Sequence, residues 1–192
     1  MRDAVLYLAS GSPRRKELLS LTGFPFVVDV PQVDESCSLP PKEAVAVISR
    51  RKCLAGYEAH PDSIVLAADT LVSVDGKSLG KPHSEQEAFD MIALLSNRWH
   101  QVYTGVCVAD AQGMLHQRVA ETEVHFTSIS DEEIRRYIAT GEPMDKAGAY
   151  AVQGIAGLWI DQISGSYSNV IGLPMHIVRE LLDECGLHCW RS

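Results

Sequence analysis

The sequence lacks most of the features that would give quick answers. No apolar run approaches the roughly 20 residues that cross a bilayer, so a membrane span is not expected. The five cysteines are odd in number and scattered, which predicts no disulfide framework and suits a reducing compartment. Cys185 and Cys189 stand four apart, but no Cys-x-x-Cys or matching histidine pair accompanies them, and two ordinary thiols are the better reading. The seven histidines show no metal-ligand spacing. No Walker loop is present, and Ser166 and the other serines lack the Gly-x-Ser-x-Gly setting of a nucleophile elbow.

Excess positive charge is missing too. A formal net charge of -8 argues against a nucleic-acid polymer as partner, because such binding draws on clustered cations. A single nucleotide is not excluded, since a few placed Lys and Arg can handle its phosphates. No repeat, low-complexity run or linker divides the 192 residues, which suffice for one domain or for two small lobes sharing a cleft. The start, Met1-Arg2-Asp3-Ala4-Val5-Leu6-Tyr7, has an early acid and no signal-peptide core, so a mature cytosolic N-terminus is expected.

What is present is an alternation of strand and helix. Val5–Ala9 reads as a strand. Pro13–Leu21 reads as a helix with Ser12 at its N-cap and Pro13 at its first position. Phe26–Val30 follows as a strand, and Pro41–Glu58 as a helix with Val45, Ile48 and Ala55 on one face. Ser63–Ala68 and Leu71–Val74 are expected as strands flanking Asp69, with a turn at Asp75-Gly76. Ser84-Glu85-Gln86-Glu87 and Ser130-Asp131-Glu132-Glu133 are capping boxes, the second opening a helix that stops at Gly141. Val102–Ala109 and Leu115–Thr127 form a long hairpin, Leu158–Ile163 a strand, and Pro174–Cys185 a last helix. The pattern predicts a mixed α/β sheet covered by helices.

Five groups of residues can carry chemistry. At Ser10-Gly11-Ser12-Pro13-Arg14-Arg15 a strand delivers the chain to a helix start, whose free N–H groups and partial positive charge suit an anion. Two arginines in that first turn are unfavourable without one, although an ordinary serine-capped helix fits the same letters. Asp69 closes the apolar run Ile64–Ala68, at the strand end where open α/β sheets bind ligands. It can hold Mg²⁺ or accept a proton from water, or simply cap a turn with Thr70. The acids Asp34-Glu35, with Asp69, can supply oxygen ligands to a hard cation, or lie on an exposed loop. Lys52 and Lys81 read equally as site or surface lysines. Finally, the glycine-bearing segments Asp145–Gly154 and Gly165–Pro174 allow close backbone approach and present amides able to read a base edge, or are plain connections.

The order and wording of these segments are more specific than any one of them. Leu8-Ala9-Ser10-Gly11-Ser12-Pro13-Arg14-Arg15, Val33-Asp34-Glu35, Ala68-Asp69-Thr70, Gly80-Lys81-Pro82, Tyr103-Thr104-Gly105-Val106, Asp145-Lys146-Ala147-Gly148-Ala149-Tyr150 and Gly165–Pro174 together resemble the Maf family of nucleotide pyrophosphatases, from about residue 5 to residue 183. The resemblance implies a fold like that of the inosine triphosphate pyrophosphatases, two α/β lobes around a cleft, usually as a homodimer. It implies hydrolysis of a nucleoside triphosphate to the monophosphate and pyrophosphate with Mg²⁺ or Mn²⁺. Asp69 matches the family's proton acceptor. Ser10, Ser12, Arg14, Arg15, Lys52 and Lys81 fall to the phosphates, and Glu35 and Asp69 to the metal. Arg14, Thr70 and Gln153 match the branch acting on dTTP and UTP, including 5-methyl-UTP and pseudo-UTP. The 7-methyl-GTP branch carries other residues there. A nucleotide-binding regulator of cell division with little turnover is the competing class.

Overall fold

The computed structural model describes residues 5–188, so the first four residues and Cys189 lie outside the described part. Seven strands form one sheet: β1 (Leu6–Leu8), β2 (Phe26–Val28), β3 (Ile64–Val74), β4 (Lys77–Leu79), β5 (Arg98–Ala109), β6 (Leu115–Phe126) and β7 (Ile160–Ser164). Their order is β2-β1-β3-β5-β6-β7, with β4 also paired to β3. The β1–β2 and β1–β3 pairs are parallel and all the others antiparallel. Among the described residues six α-helices accompany it: α1 (Pro13–Ser20), α2 (Pro41–Ala59), α3 (Glu85–Leu95), α4 (Asp131–Ile138), α5 (Tyr167–Ile171) and α6 (Met175–Glu184). The expected mixed α/β architecture is present.

Alternation along β3 sorts the layers, since successive side chains point to opposite faces. Val65 and Ala67 pack with Cys53 of α2 on one face. Leu66 and Ala68 point the other way, into a core shared with Leu18 and Leu19 of α1 and Val178, Leu181 and Leu182 of α6. Further along that second face Val72 and Val74 join a separate core with Ile92 of α3 and Ile134 and Tyr137 of α4. One face therefore carries two cores.

A polar seam divides them. The Thr70 and Thr104 hydroxyls lie 2.9 Å apart, and Thr104 Oγ1 donates to the Asn169 carbonyl at 3.5 Å. Asn169 Nδ2 donates to Thr122 Oγ1 and to the Val102 carbonyl. Buried threonine hydroxyls and the asparagine amide N–H groups need partners, and these bond one another across three strands, while Asn169 Oδ1 is left without a hydrogen-bond partner among the described residues.

The opposite face is covered by α2, which comes unusually close at Gly105 of β5. A Cβ there would overlap the Val45 carbonyl oxygen and lie 2.6 Å from its carbon. Only glycine permits that approach.

Several sequence expectations need correction. Asp69 does not separate two strands: β3 runs unbroken through it, because β5 pairs with residues 65–73 continuously. The capping box at Ser84 is only half formed. Ser84 accepts from the Glu87 N–H, but the Glu87 carboxylate accepts from His83 N at 2.7 Å instead. Ser130 and Glu133 make the full reciprocal pair. The strand expected from Leu158 begins at Ile160, because Ile155–Trp159 winds as a 3₁₀ segment. The Gly165–Pro174 connection contains α5, capped by Ser166. On α2 the buried face runs through Val45, Ile48, Ser49, Cys53 and Gly56, leaving Ala55 at its margin. No helix among the described residues is long and apolar enough to cross a membrane.

Candidate active site

The site opens where β3 has no strand beside it on one edge. β1 pairs with β3 only as far as Leu66, and β4 only from Val72. Between them the chain of β1 turns away through Ser10–Ser12 into α1. A crevice beyond the carboxyl end of a parallel strand is the usual ligand position in α/β sheets. Here it is a cavity of about 1040 Å³, and Asp69 and Thr70 line it.

Because Asp69 and Thr70 are adjacent on a strand, they face opposite sides of the sheet and build two different networks. On the α2 side, Lys52 Nζ lies 2.9 Å from Asp69 Oδ1 and 2.9 Å from Glu35 Oε2. The Lys52 and Asp69 side chains are only 12% and 10% exposed, whereas Glu35 is 60% exposed. The ammonium thus joins a buried acid to one at the cavity mouth.

On the other side, Arg15 reaches back from the first turn of α1. Its Nε donates to the Gly172 carbonyl at 2.8 Å, and its two terminal nitrogens donate to Ser10 Oγ at 3.2 Å and Thr70 Oγ1 at 3.0 Å. Burial lowers the Arg15 pKa from its ordinary value. The charge of Asp69 opposes that shift, Arg14 adds to it, and Glu35 opposes it. Ser10 also accepts from the Ser12 N–H at 3.3 Å, and Ser12 caps α1 by accepting from Arg15 N at 3.5 Å. The loop and helix start are thus held by their own side chains.

Arg14, Lys81 and Gln153 complete the walls. Lys81 follows Gly80, whose carbonyl accepts from the Gly148 N–H at 3.0 Å. That bond ties the lysine's turn to the Asp145–Tyr150 segment. Tyr150 lines the cavity, and its hydroxyl lies 2.7 Å from Nε2 of the buried His100.

All but one of the residues expected at the site from the sequence line this one cavity: Ser10, Ser12, Arg14, Arg15, Lys52 and Lys81 with Glu35, Asp69, Thr70 and Gln153. Asp34 does not. Its Oδ1 accepts from Ser36 N in a local turn, and those bonds from Ser36 depress its pKa. Of the acidic pair only Glu35 reaches inward.

The structure adds wall residues to which sequence reasoning gave no role of their own. Lys146 lies against Asp145 and donates to the Glu142 carbonyl at 2.7 Å, and both Asp145 and Lys146 line the cavity. The Lys146 hydrogen bond holds the Asp145 carboxyl below its ordinary range, helped by the charge of Arg14. The sequence marked this segment as a glycine-bearing, base-reading loop and as part of the family pattern, without a role for either charged residue. A lysine beside an acid at its start was the available signal.

Five cations and four carboxylates share the cavity, a balance suited to a polyanion accompanied by a cation. Among the described residues no group of three or more His, Cys, Asp or Glu is spaced to cage an ion. Glu35 and Asp69 nonetheless offer carboxylate oxygens around one ammonium. Mg²⁺ commonly takes one or two protein carboxylates and completes its shell from phosphates and water. The donor set fits that pattern.

Fold and site together define a mixed α/β protein with one cleft lined by both cations and acids. The chain belongs to the Maf family: the family's model, described as Maf-like protein, matches residues 5–185. It is 49% identical over 185 residues to a dTTP/UTP pyrophosphatase of Symbiobacterium thermophilum, covering 94% of each chain. It is 46% identical over 191 residues to the dTTP/UTP pyrophosphatase of Moorella thermoacetica, covering 96% of this chain and 97% of that one. A solved structure, the Ham1 protein of Staphylococcus aureus, overlaps 63% of this chain and 71% of its own at 15% identity and a TM-score of 0.48.

Proposed function

We propose that this protein hydrolyses dTTP and UTP, and modified uridine triphosphates such as 5-methyl-UTP and pseudo-UTP, to the monophosphate and pyrophosphate, cleansing the nucleotide pool. The observation that carries this reading is the gathering of Arg14, Arg15, Lys52 and Lys81 with Glu35 and Asp69 in one cavity, in a chain so similar to dTTP/UTP pyrophosphatases. A pure phosphate binder gains little from carboxylates beside the anion.

Water attacks the α-phosphorus and pyrophosphate leaves with the bonding electrons. Arg14, Lys52 and Lys81, with the backbone at Ser10–Ser12, hold the phosphates and balance charge growing on the leaving oxygens. Arg15 keeps that loop in place while adding its own charge. Asp69 takes the water's proton, and Lys52 fixes the orientation of its carboxylate. Glu35 and Asp69 would hold Mg²⁺ or Mn²⁺, which when bound would supply neutralising charge to the phosphates. Gln153 pairs its amide with the carbonyl and N–H edge of a uracil-type ring, and Arg14 and Thr70 complete the selecting set. A homodimer in the cytoplasm belongs to the same reading, and sedimentation of the purified protein tests the dimer.

The deciding experiment incubates the protein with each triphosphate plus Mg²⁺ or Mn²⁺ and identifies the products. Pyrophosphate from dTTP and UTP is expected. Free phosphate means a different cleavage, preference for 7-methyl-GTP a different base, and binding without turnover a regulator.

A further inference from the structure

Glu142 opens a 3₁₀ turn, Glu142–Asp145, and is not itself part of the cavity wall. Its bonds nevertheless reach two wall segments. Both carboxylate oxygens accept from the Ile155 N–H, at 3.0 and 3.1 Å, and Oε1 also accepts from the Tyr137 hydroxyl at 3.1 Å. Its backbone carbonyl accepts from Lys146 Nζ at 2.7 Å. One residue thus holds the loop carrying Gln153 and the lysine on the adjoining wall.

Gly154 reads as part of the same device. Its backbone, φ -106° and ψ -160°, is extended and open to any L residue. What excludes a side chain is the acid: a Cβ at 154 would overlap Glu142 Oε1 and lie 2.8 Å from Oε2. The glycine leaves room for the carboxylate beneath the residue that follows Gln153.

We propose that Glu142, seated against Gly154, is a positioning residue for substrate selection, setting the Gln153 amide and Lys146 in register with the bound nucleotide. This rests on the reading of Gln153 as the group that recognises the base. A side-chain amide discriminates bases only if its own loop is fixed, because a shift of about 1 Å costs up to about 100-fold. Gln153 is exposed, so its direction depends on the backbone bonds on either side. Glu142 supplies the one at Ile155.

The test is a double-mutant cycle on Gly154→Ala and Glu142→Ala, with KM and kcat for UTP, dTTP and GTP measured on folded protein. Each single variant is expected to raise KM for UTP and dTTP about 10-fold or more, narrow their advantage over GTP, and leave most of the change in KM. The double variant should be no worse than Glu142→Ala, since the new methyl then meets no carboxylate. Glu142→Gln, which keeps an acceptor oxygen for Ile155, should recover much of the preference. Strict additivity, or an equal loss for all three nucleotides, overturns the proposal. Gln153→Glu run in parallel separates the premises. If it leaves the ranking unchanged, base reading by Gln153 fails; if it alters the ranking while the cycle does not, only the role of Glu142 fails.

Discussion

Lys52 and Asp69 are paired at 2.9 Å between α2 and β3, with both side chains almost entirely withdrawn from solvent. The same ammonium meets Glu35 at an equal distance, yet the two contacts are not energetic equals. A buried partner left alone keeps an uncompensated charge away from water, whereas an exposed one is rehydrated. Lys52→Met is therefore expected to destabilise the protein by about 3 kcal/mol. Glu35→Gln should cost less than about 1 kcal/mol. Urea unfolding of the two variants checks this, and equal losses would contradict the asymmetry.

Asp69→Asn keeps the shape of the side chain and removes its ability to take a proton. Turnover of dTTP is expected to fall by about 100- to 10,000-fold. Nucleotide binding, measured by calorimetry, should persist because the cations around the phosphates remain. Near-normal pyrophosphate release by this variant would remove Asp69 from the role of base.

His100 gives a pH prediction. Burial, aided by the charges of His125 and Arg98, lowers its pKa from 6.5 to about 3. The folded state keeps the ring neutral while the unfolded chain takes up a proton. That stability is fully present above pH 6.5 and drains away as the pH falls toward 3, by about 1.4 kcal/mol per unit. His100→Gln should flatten the fall in stability across this window. An unchanged slope in denaturant titrations at pH 6.5, 5.5 and 4.5 would contradict it.

Gly105→Ala places a methyl against the Val45 carbonyl, a backbone group that cannot rotate aside. Overpacking of this kind costs about 1–3 kcal/mol, and α2 carries Lys52, so activity should fall along with Tm. An unaltered melting temperature would show that α2 can retreat freely from the sheet. At Gly154 the obstacle is the end of a flexible carboxylate, and there the expected loss is in selectivity.

Much of this was legible before the structure. The hydrophobic periods gave the element types, since a half-buried helix or strand must repeat at its own spacing. Ends were less secure. Trp99 and His100 extend β5 beyond the expected start because β6 pairs with them, a partner that no local pattern reveals. The continuity of β3 through Asp69 was hidden for a related reason. An acid inside an apolar run reads as a break, and only its contact with Lys52 makes it tolerable within a buried strand.

The sequence by itself determined the chemical inventory and the family: arginines at a helix start, a phosphate-sized set of cations, and acids in a fixed order along the chain. Tertiary structure decided how these groups are used. It put Asp69 and Thr70 on opposite faces of one strand, so that one meets Lys52 and the other Arg15. It let Glu35 into the cavity and left Asp34 outside. The reason is physical: residue type and local spacing fix what a side chain can do, whereas its partners come from chain segments up to 157 positions away, as with Arg15 and Gly172. Those meetings exist only once the sheet and its layers have formed.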